Sequence, residues 1–449
     1  MAKATTQYVC NICGADFPKW AGQCTDCGAW NSLVEFKMST AKSSKGYAGI
    51  KDTKIQAIAD IDCTEVPRVA TDMGEFNRVL GGGLVPGSIS LIGGDPGIGK
   101  SSILLQVLCE LSQKVPALYV TGEESPEQVA LRAQRMGLPV EKLQLLAETD
   151  VSHICRLAEQ ARPKVMVIDS IQTMQVPEIG SAPGGVAQVR ESAAALTRFA
   201  KQTGTTVLLV GHVTKSGEVA GPRVLEHIVD AVIYLEGQND SRFRVMRAVK
   251  NRFGAINELG VFAMTDKGMK EVANPSAIFL SREIEDSSGS AVMVTWEGSR
   301  PLLVELQALV DHSHAPNPRR VCVGLEQNRL AMLLAVLHRH GGVPTYDQDV
   351  FVNVVGGMKV TETASDLAVL AAVVSSLKDK VIPPDTVLFG EIGLAGEIRP
   401  VQSGQERIKE AAKHGFKRII APSKNLPKTV LKGVELVGVN RLSQALQHV

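Results

Sequence analysis

The eight residues Gly94-Asp95-Pro96-Gly97-Ile98-Gly99-Lys100-Ser101 constrain this chain more than any other stretch. They fit G-x-x-x-x-G-K-[ST] at every defined position. Ser88 to Ile92 before them reads as a buried strand, and Ser102 to Leu108 after them reads as a helix. A strand, a glycine loop and a helix in that order turn backbone N–H groups inward beside the positive end of a helix dipole, which makes a phosphate cradle. In such a cradle Lys100 would reach the β- and γ-phosphates of ATP. The Ser101 hydroxyl, with Ser102 next to it, would hold Mg²⁺. A glycine turn opening an ordinary helix has no comparable packing use for Gly99-Lys100-Ser101.

Strands and helices alternate after this point. Ala117 to Thr121 reads as a strand entering Gly122-Glu123-Glu124, and Ser125, Pro126 and Gln128 open a helix through a capping box. Val165 to Ile168 is an apolar strand ending in Asp169, the position from which a carboxylate orders the Mg²⁺ shell. Thr206 to Val210 runs into Gly211-His212. His212 is either a γ-phosphate sensor or a histidine satisfied within a turn, and its place at a strand end favours the sensor. The alternation predicts an α/β fold with a mostly parallel sheet and the nucleotide at its carboxyl edge.

The amino terminus carries a different chemistry. Cys10, Cys13, Cys24 and Cys27 form two C-x-x-C pairs, each followed by glycine, and account for four of the eight cysteines. Four thiolates in this pattern suit tetrahedral Zn²⁺, and disulfides are the competing reading. A segment of ~40 residues buries too little apolar surface to fold unaided, so the metal decides whether it folds. Trp20 and Trp30 serve either the small core or a partner-facing surface. Cys63, Cys109, Cys155 and Cys322 stand in apolar contexts and read as core. The domain organisation expected is a four-cysteine zinc finger (zinc ribbon) over 1–36, a Ser/Lys/Gly-rich linker over 37–58, an ATPase domain over 59–275 and a further α/β domain over 285–449.

Length and charge set the outer bounds. A chain of 449 residues exceeds one ordinary core. Its formal net charge of +1 requires any nucleic-acid surface to be local. Aromatic residues at 4% argue against a binder that works mainly by stacking single strands. No apolar run approaches the ~20 residues of a membrane span, and Met1 to Gln7 has no apolar signal segment, so a cytoplasmic protein is expected.

The zinc knuckles, GDPGIGKSS, YVTGEES, VIDS and Lys250-Asn251-Arg252-Phe253-Gly254 occur in that order and closely resemble the bacterial RadA (Sms) family of DNA repair proteins over essentially the whole chain. That resemblance implies a RecA-like core. It gives Glu123 the role of activating the attacking water, with Glu124 as the fallback and a solvated loop acid as the bland alternative. It implies that Lys250 and Arg252 cross a subunit interface to a neighbour's γ-phosphate, or touch DNA phosphates. Two glycine-rich loops, from Pro177 to Arg190 and from Val213 to Arg223, would meet DNA. Arg190, Lys215 and Arg223 are either phosphate contacts or plain surface charge.

From about Ser290 the pattern changes, and Leu302 to Val310 is expected to start a new αβ unit. The helices near Asp366 and Glu406 resemble the proteolytic domain of the Lon family. Alignment puts Ala364 where the nucleophilic serine belongs and Gln405 where the general-base lysine belongs. Without that base, Ser365 is a poor nucleophile. The resemblance therefore implies a ring-forming domain without the peptidase dyad. Together these features predict a DNA-dependent ATPase with helicase-like motor action in repair and homologous recombination. Its partners would be single-stranded and branched DNA, RecA recombinase and its own copies in a homo-hexamer ring. The alternatives are an ATP-dependent Lon-type protease and a non-motor, ATP-gated scaffold.

Overall fold

The computed structural model describes residues 6–10, 15–37, 57, 67–212, 225–237, 242–272, 274–277, 280, 287–314, 317–429 and 431–449. The chain divides into two compact units, Met1–Val272 and Ala273–Val449. No described helix is long and apolar enough to cross a membrane.

The first unit begins with a three-stranded antiparallel ribbon, β1 (Thr6–Cys10), β2 (Asp16–Phe17) and β3 (Leu33–Lys37), in the order β2-β1-β3. Its minimal core is Cys10, Cys24 and Leu33, so two of the expected metal ligands double as core while Cys27 is exposed. Trp20 and Trp30 are 57% and 71% exposed, which settles them as surface rather than core.

The remainder of this unit is a nine-stranded sheet. In chain order it comprises α1 (Gly74–Val79), β4 (Ile89–Gly94), α2 (Lys100–Ser112), β5 (Ala117–Thr121), α3 (Pro126–Arg135), β6 (Gln144–Ala147), α4 (Val151–Ala161) and β7 (Val165–Asp169). Then come α5 (Val186–Thr203), β8 (Thr206–His212), β9 (Ala231–Glu236), β10 (Phe243–Asn251), β11 (Leu259–Thr265) and β12 (Gly268–Glu271). The strand order is β12-β11-β10-β9-β4-β8-β7-β5-β6. Strands β6 to β9 with β4 and β5 pair in parallel, while β10, β11 and β12 add an antiparallel flank.

Alternation along the strands builds two cores. Tyr119, Val165, Val167, Leu208 and Val210 face α1, α2 and α3, whereas Leu118, Val120, Met166, Ile168 and Leu209 face α4 and α5. The burial of both faces explains why these strands read as continuous apolar runs. The capping box of α3 forms as its sequence requires, Ser125 accepting from the Gln128 amide and Gln128 returning a bond to the Ser125 amide.

The second unit is a seven-stranded mixed sheet. It comprises β13 (Ser290–Glu297), β14 (Arg300–His312), β15 (Arg320–Val323), α6 (Gln327–Gly341), β16 (Gln348–Val354) and α7 (Asp366–Lys378). These are followed by β17 (Thr386–Leu388), a small ribbon of β18 (Glu391–Ile392) and β19 (Ile398–Arg399), α8 (Gly404–Lys413), β20 (Arg418–Pro422), β21 (Glu435–Val439) and α9 (Leu442–Ala445). The order is β15-β16-β14-β13-β17-β20-β21. The stretch Leu302 to Val310 does not open an αβ unit. It lies in β14 and closes an antiparallel hairpin with β13, its even-numbered positions staying buried from 302 to 308 while the odd-numbered row opens toward solvent from 307.

Arg407 on α8 is almost fully buried and satisfied. It pairs with Glu362 at 2.6 Å and also donates to the carbonyls of Val294 (2.6 Å) and Gln402 (2.9 Å). A buried guanidinium is tolerated only with such complete pairing.

Candidate nucleotide and metal sites

The phosphate loop leaves β4 at Gly94, where φ is +151° and a Cβ would stand 2.5 Å from the Leu235 carbonyl oxygen on β9. Glycine is therefore required for the loop to turn away from the sheet. Gly97 has φ +77° and open space where its Cβ would be. The first amides of α2 have no intrahelical acceptor, and no side chain caps them at Gly99. Lys100 is buried and its Nζ lies over the loop, donating to the Gly94 and Asp95 carbonyls at 2.8 Å each. Burial holds the Lys100 ammonium below its usual pKa, partly offset by Asp169, Glu123 and Asp95. Arg244, a buried residue on β10, braces the loop from behind by donating to the Ile98 carbonyl at 3.3 Å. Pro96, Ser101 and Ser102 complete the cradle at the junction with α2.

Three further groups come to this edge because β8, β7 and β5 run parallel to β4 in that order and finish at the same end of the sheet. Asp169, the last residue of β7, is buried. Its Oδ2 accepts from the Tyr119 hydroxyl, and its Oδ1 is buried without a hydrogen-bond partner among the described residues. An orphaned carboxylate oxygen at this edge fits a site that takes the hydration shell of Mg²⁺ with Ser101.

Glu123 follows β5. Its Oε1 accepts from the Ser170 hydroxyl and lies 3.1 Å from His212 Nε2 at the end of β8. The His212 hydrogen bond, then the Ser170 bond and the nearby Lys100 charge, hold its carboxyl below the usual range against the opposing effect of burial. Glu124 points elsewhere, its Oε1 accepting from Arg132 Nη1 on α3 at 3.0 Å. Of the two adjacent acids, only Glu123 meets Ser170 and His212. Tyr119, Ser170 and Arg244 escaped sequence reasoning because each acts through a contact with a residue far away in the chain.

Lys250 and Arg252 stand at the other end of the sheet. Asn251 pairs with Ala231 on β9, and Ala231 pairs with Ser90 near the start of β4. Lys250 Nζ donates to the Val229 carbonyl at 2.8 Å and to that of Glu226. Arg252 Nη1 lies 3.1 Å from Asp230 Oδ1, and Asp230 Oδ2 accepts from Lys201 Nζ at 2.7 Å and from the Ile89 amide at 3.1 Å. The rest of KNRFG is architectural. Asn251 donates to the Val79 carbonyl, and Gly254 packs so closely on Gly81 that a Cβ would meet Gly81 Cα at 2.7 Å.

The two loops expected to meet DNA fare differently. Arg190 is not in a loop, since α5 already begins at Val186. The Pro177 to Gly185 segment is pinned by the buried Gln188 side chain, which bonds Val176, Ile179 and Ser181. Gln188 supplies the backbone partners that a free loop would take from water. Lys215 and Arg223 lie outside the described residues.

In the ribbon, Cys10, Cys24 and Cys27 bring their sulfurs within 4.8 Å of one another, a set that fits Zn²⁺. Cys13, the fourth expected ligand, lies outside the described residues. The Cys24 amide donates to Ala29 at 2.9 Å and Gly28 adopts φ +73°, the turn that closes the second knuckle. Elsewhere Cys109 is buried, while Cys155 and Cys322 are only half-buried, and Cys63 is outside the described residues.

In the second unit Ala364 and Ser365 are buried, the Ser365 hydroxyl donates to the Glu362 carbonyl at 3.0 Å, and Gln405 is exposed.

Fold and site together define a P-loop ATPase carrying a zinc ribbon and a second α/β domain. Family comparisons agree: residues 8–35 match the rubredoxin metal binding domain, 68–218 the AAA domain, and 327–425 subunit ChlI of Mg-chelatase. The chain is 64% identical to DNA repair protein RadA of Pseudomonas aeruginosa, with 99% of each chain covered. It is 61% identical to DNA repair protein RadA of Escherichia coli over 99% of each chain. Against DNA repair protein RadA of Bacillus subtilis it is 47% identical, covering all of this chain and 99% of the relative. The chain belongs to the DNA repair protein RadA family.

Proposed function

We propose that this chain is a DNA-stimulated ATPase that assembles as a homo-hexameric ring. In this reading it acts as a helicase-like motor in DNA repair and homologous recombination, extending branched intermediates alongside RecA recombinase. Lys100 neutralises the β- and γ-phosphates, and Ser101 and Asp169 are the residues that would hold Mg²⁺. When bound, that ion neutralises charge developing on the phosphate oxygens. Glu123, held by Ser170 and His212, accepts the proton of the attacking water, and His212, at the end of β8, senses the γ-phosphate.

One observation carries the ring reading. Arg252 is level with Ile89, since its amide donates to Asp230, whose own amide donates to Ile89, whereas the phosphate loop leaves the far end of β4. At about 3.3 Å per residue the two ends of that strand are roughly 15 Å apart. Arginine cannot span that gap, so Lys250 and Arg252 serve a neighbour's γ-phosphate rather than their own. The second unit supports assembly. Its buried Ala364, bonded Ser365 and exposed Gln405 speak against the protease reading.

The test is steady-state ATP turnover with and without single-stranded DNA, followed by unwinding of a three-strand branched substrate with and without RecA. Stimulated turnover with ATP-dependent unwinding is expected. Turnover indifferent to DNA would leave the ATP-gated scaffold, and ATP-dependent degradation of casein would revive the protease.

A further inference from the structure

Tyr119 lies at the centre of a polar chain beside the nucleotide edge that runs from buried Asp169 out to half-buried Arg132 and Glu124. Register places Thr121 opposite Asp169 and Tyr119 opposite Val167, so Tyr119 and Asp169 are diagonal neighbours on one face of the sheet. Both side chains are buried. The phenol donates to Asp169 Oδ2 and accepts from Arg132 Nη2 at 3.4 Å. Arg132 is itself anchored, with Nη1 3.0 Å from Glu124 Oε1 and Nη2 2.8 Å from Glu124 Oε2.

Direction follows from the donor inventory. A guanidinium only donates, so the phenol oxygen accepts from Arg132 and its single proton goes to Asp169. That bond distinguishes the two oxygens of the carboxylate. Oδ2 is tied to the protein, and Oδ1 is the buried atom with no partner among the described residues. Without the phenol, rotation of the carboxyl group would exchange the two oxygens.

We propose that Tyr119 is a positioning residue for the divalent cation that accompanies the nucleotide. It holds Asp169 by one oxygen so that the other faces the cation's shell, and Arg132, anchored on Glu124, orients the phenol. This rests on the nucleotide reading above and extends it to three residues that touch neither phosphate nor metal. It also gives Glu124, the rival for the base, a different task.

The experiment uses the full chain and two variants, Tyr119→Phe and Arg132→Gln. Binding of a fluorescent ATP analogue is measured in EDTA and then across a Mg²⁺ titration. Partners one shell out from a metal typically govern its affinity by 10–100-fold, so Tyr119→Phe is expected to raise the Mg²⁺ needed for half-saturation by about tenfold or more. Arg132→Gln should give a smaller rise, and metal-free nucleotide affinity should stay within a factor of about two of the parent in both. An unchanged Mg²⁺ requirement in Tyr119→Phe overturns the proposal. Equal weakening with and without Mg²⁺ also overturns it, since it marks a core-filling role. If Tyr119→Phe melts below the assay temperature, Arg132→Gln decides by the same criterion. Failure of the parent chain to bind the analogue would overturn the nucleotide reading itself.

Discussion

Replacing Asp230 by asparagine tests how Arg252 is held. The carboxylate is 4% exposed and serves three donors, with Lys201 and the Ile89 amide on Oδ2 and Arg252 on Oδ1. An amide of the same shape keeps one acceptor. Whichever way it turns, its NH₂ faces a donor, and the charge that Lys201 met is gone. Hydrogen bonds to charged groups contribute about 1.5–3 kcal/mol each. The Arg252 arm is 58% exposed and screened by water, so it adds under about 1 kcal/mol. Losing most of the Lys201 arm and part of the other two amounts to about 2–3 kcal/mol. For a domain of this size that corresponds to a melting point roughly 4–12 °C lower. Differential scanning calorimetry of the parent and Asp230→Asn chains measures it. Nucleotide affinity should persist, because the phosphate loop leaves the far end of β4, while turnover falls with the loosened Arg252. A melting point within about 1 °C of the parent's would refute the reasoning.

Lys100→Ala should abolish most ATP binding by equilibrium fluorescence, since the loop loses its cation, and unchanged affinity would contradict the cradle. Glu123→Gln should bind ATP normally and hydrolyse it about 10²–10⁴-fold more slowly, whereas Glu124→Gln should keep turnover within a few-fold; reversed results would move the base by one residue. Cys24→Ser should lose Zn²⁺ by metal analysis yet retain ATP binding. Burial pushes the Cys109 thiol up to about 11 and the Cys155 thiol up to about 12, so both remain protonated at pH 8. Thiol reagents should therefore leave them unlabelled in the native chain and react first with ribbon cysteines once a chelator removes the metal.

The phosphate cradle was legible because its chemistry is local. Glycine geometry, the lysine and the helix start lie within eight residues, and Asp169 and His212 could be reached by noting where apolar strands end. The capping box at Ser125 was legible for the same reason. What escaped depends on pairing across the fold. Nothing near Tyr119 in sequence marks it as the partner of Asp169, and nothing near Asp230 reveals that Lys201 and Arg252 converge on it. Gln188 turned a glycine-rich segment, expected to be an open loop reaching Arg190, into one tied to α5. Leu302 to Val310 reads as the start of an αβ unit because an apolar run of nine residues does not show what it pairs with, and β13 makes it the second arm of a hairpin.

The central claim is that each ATP is hydrolysed by Glu123 of one subunit with Arg252 of the next. Mixing two inactive chains tests it. Arg252→Ala keeps the base and lacks the arginine that crosses the interface, whereas Glu123→Gln keeps that arginine and lacks the base. If Arg252 acts across the interface, mixed rings contain some junctions with both groups intact, and turnover of the mixture should exceed the sum of its components. If Arg252 acts on its own subunit, no junction regains both groups. Mixed rings demonstrated by mass spectrometry, with turnover no greater than that sum, would contradict the account.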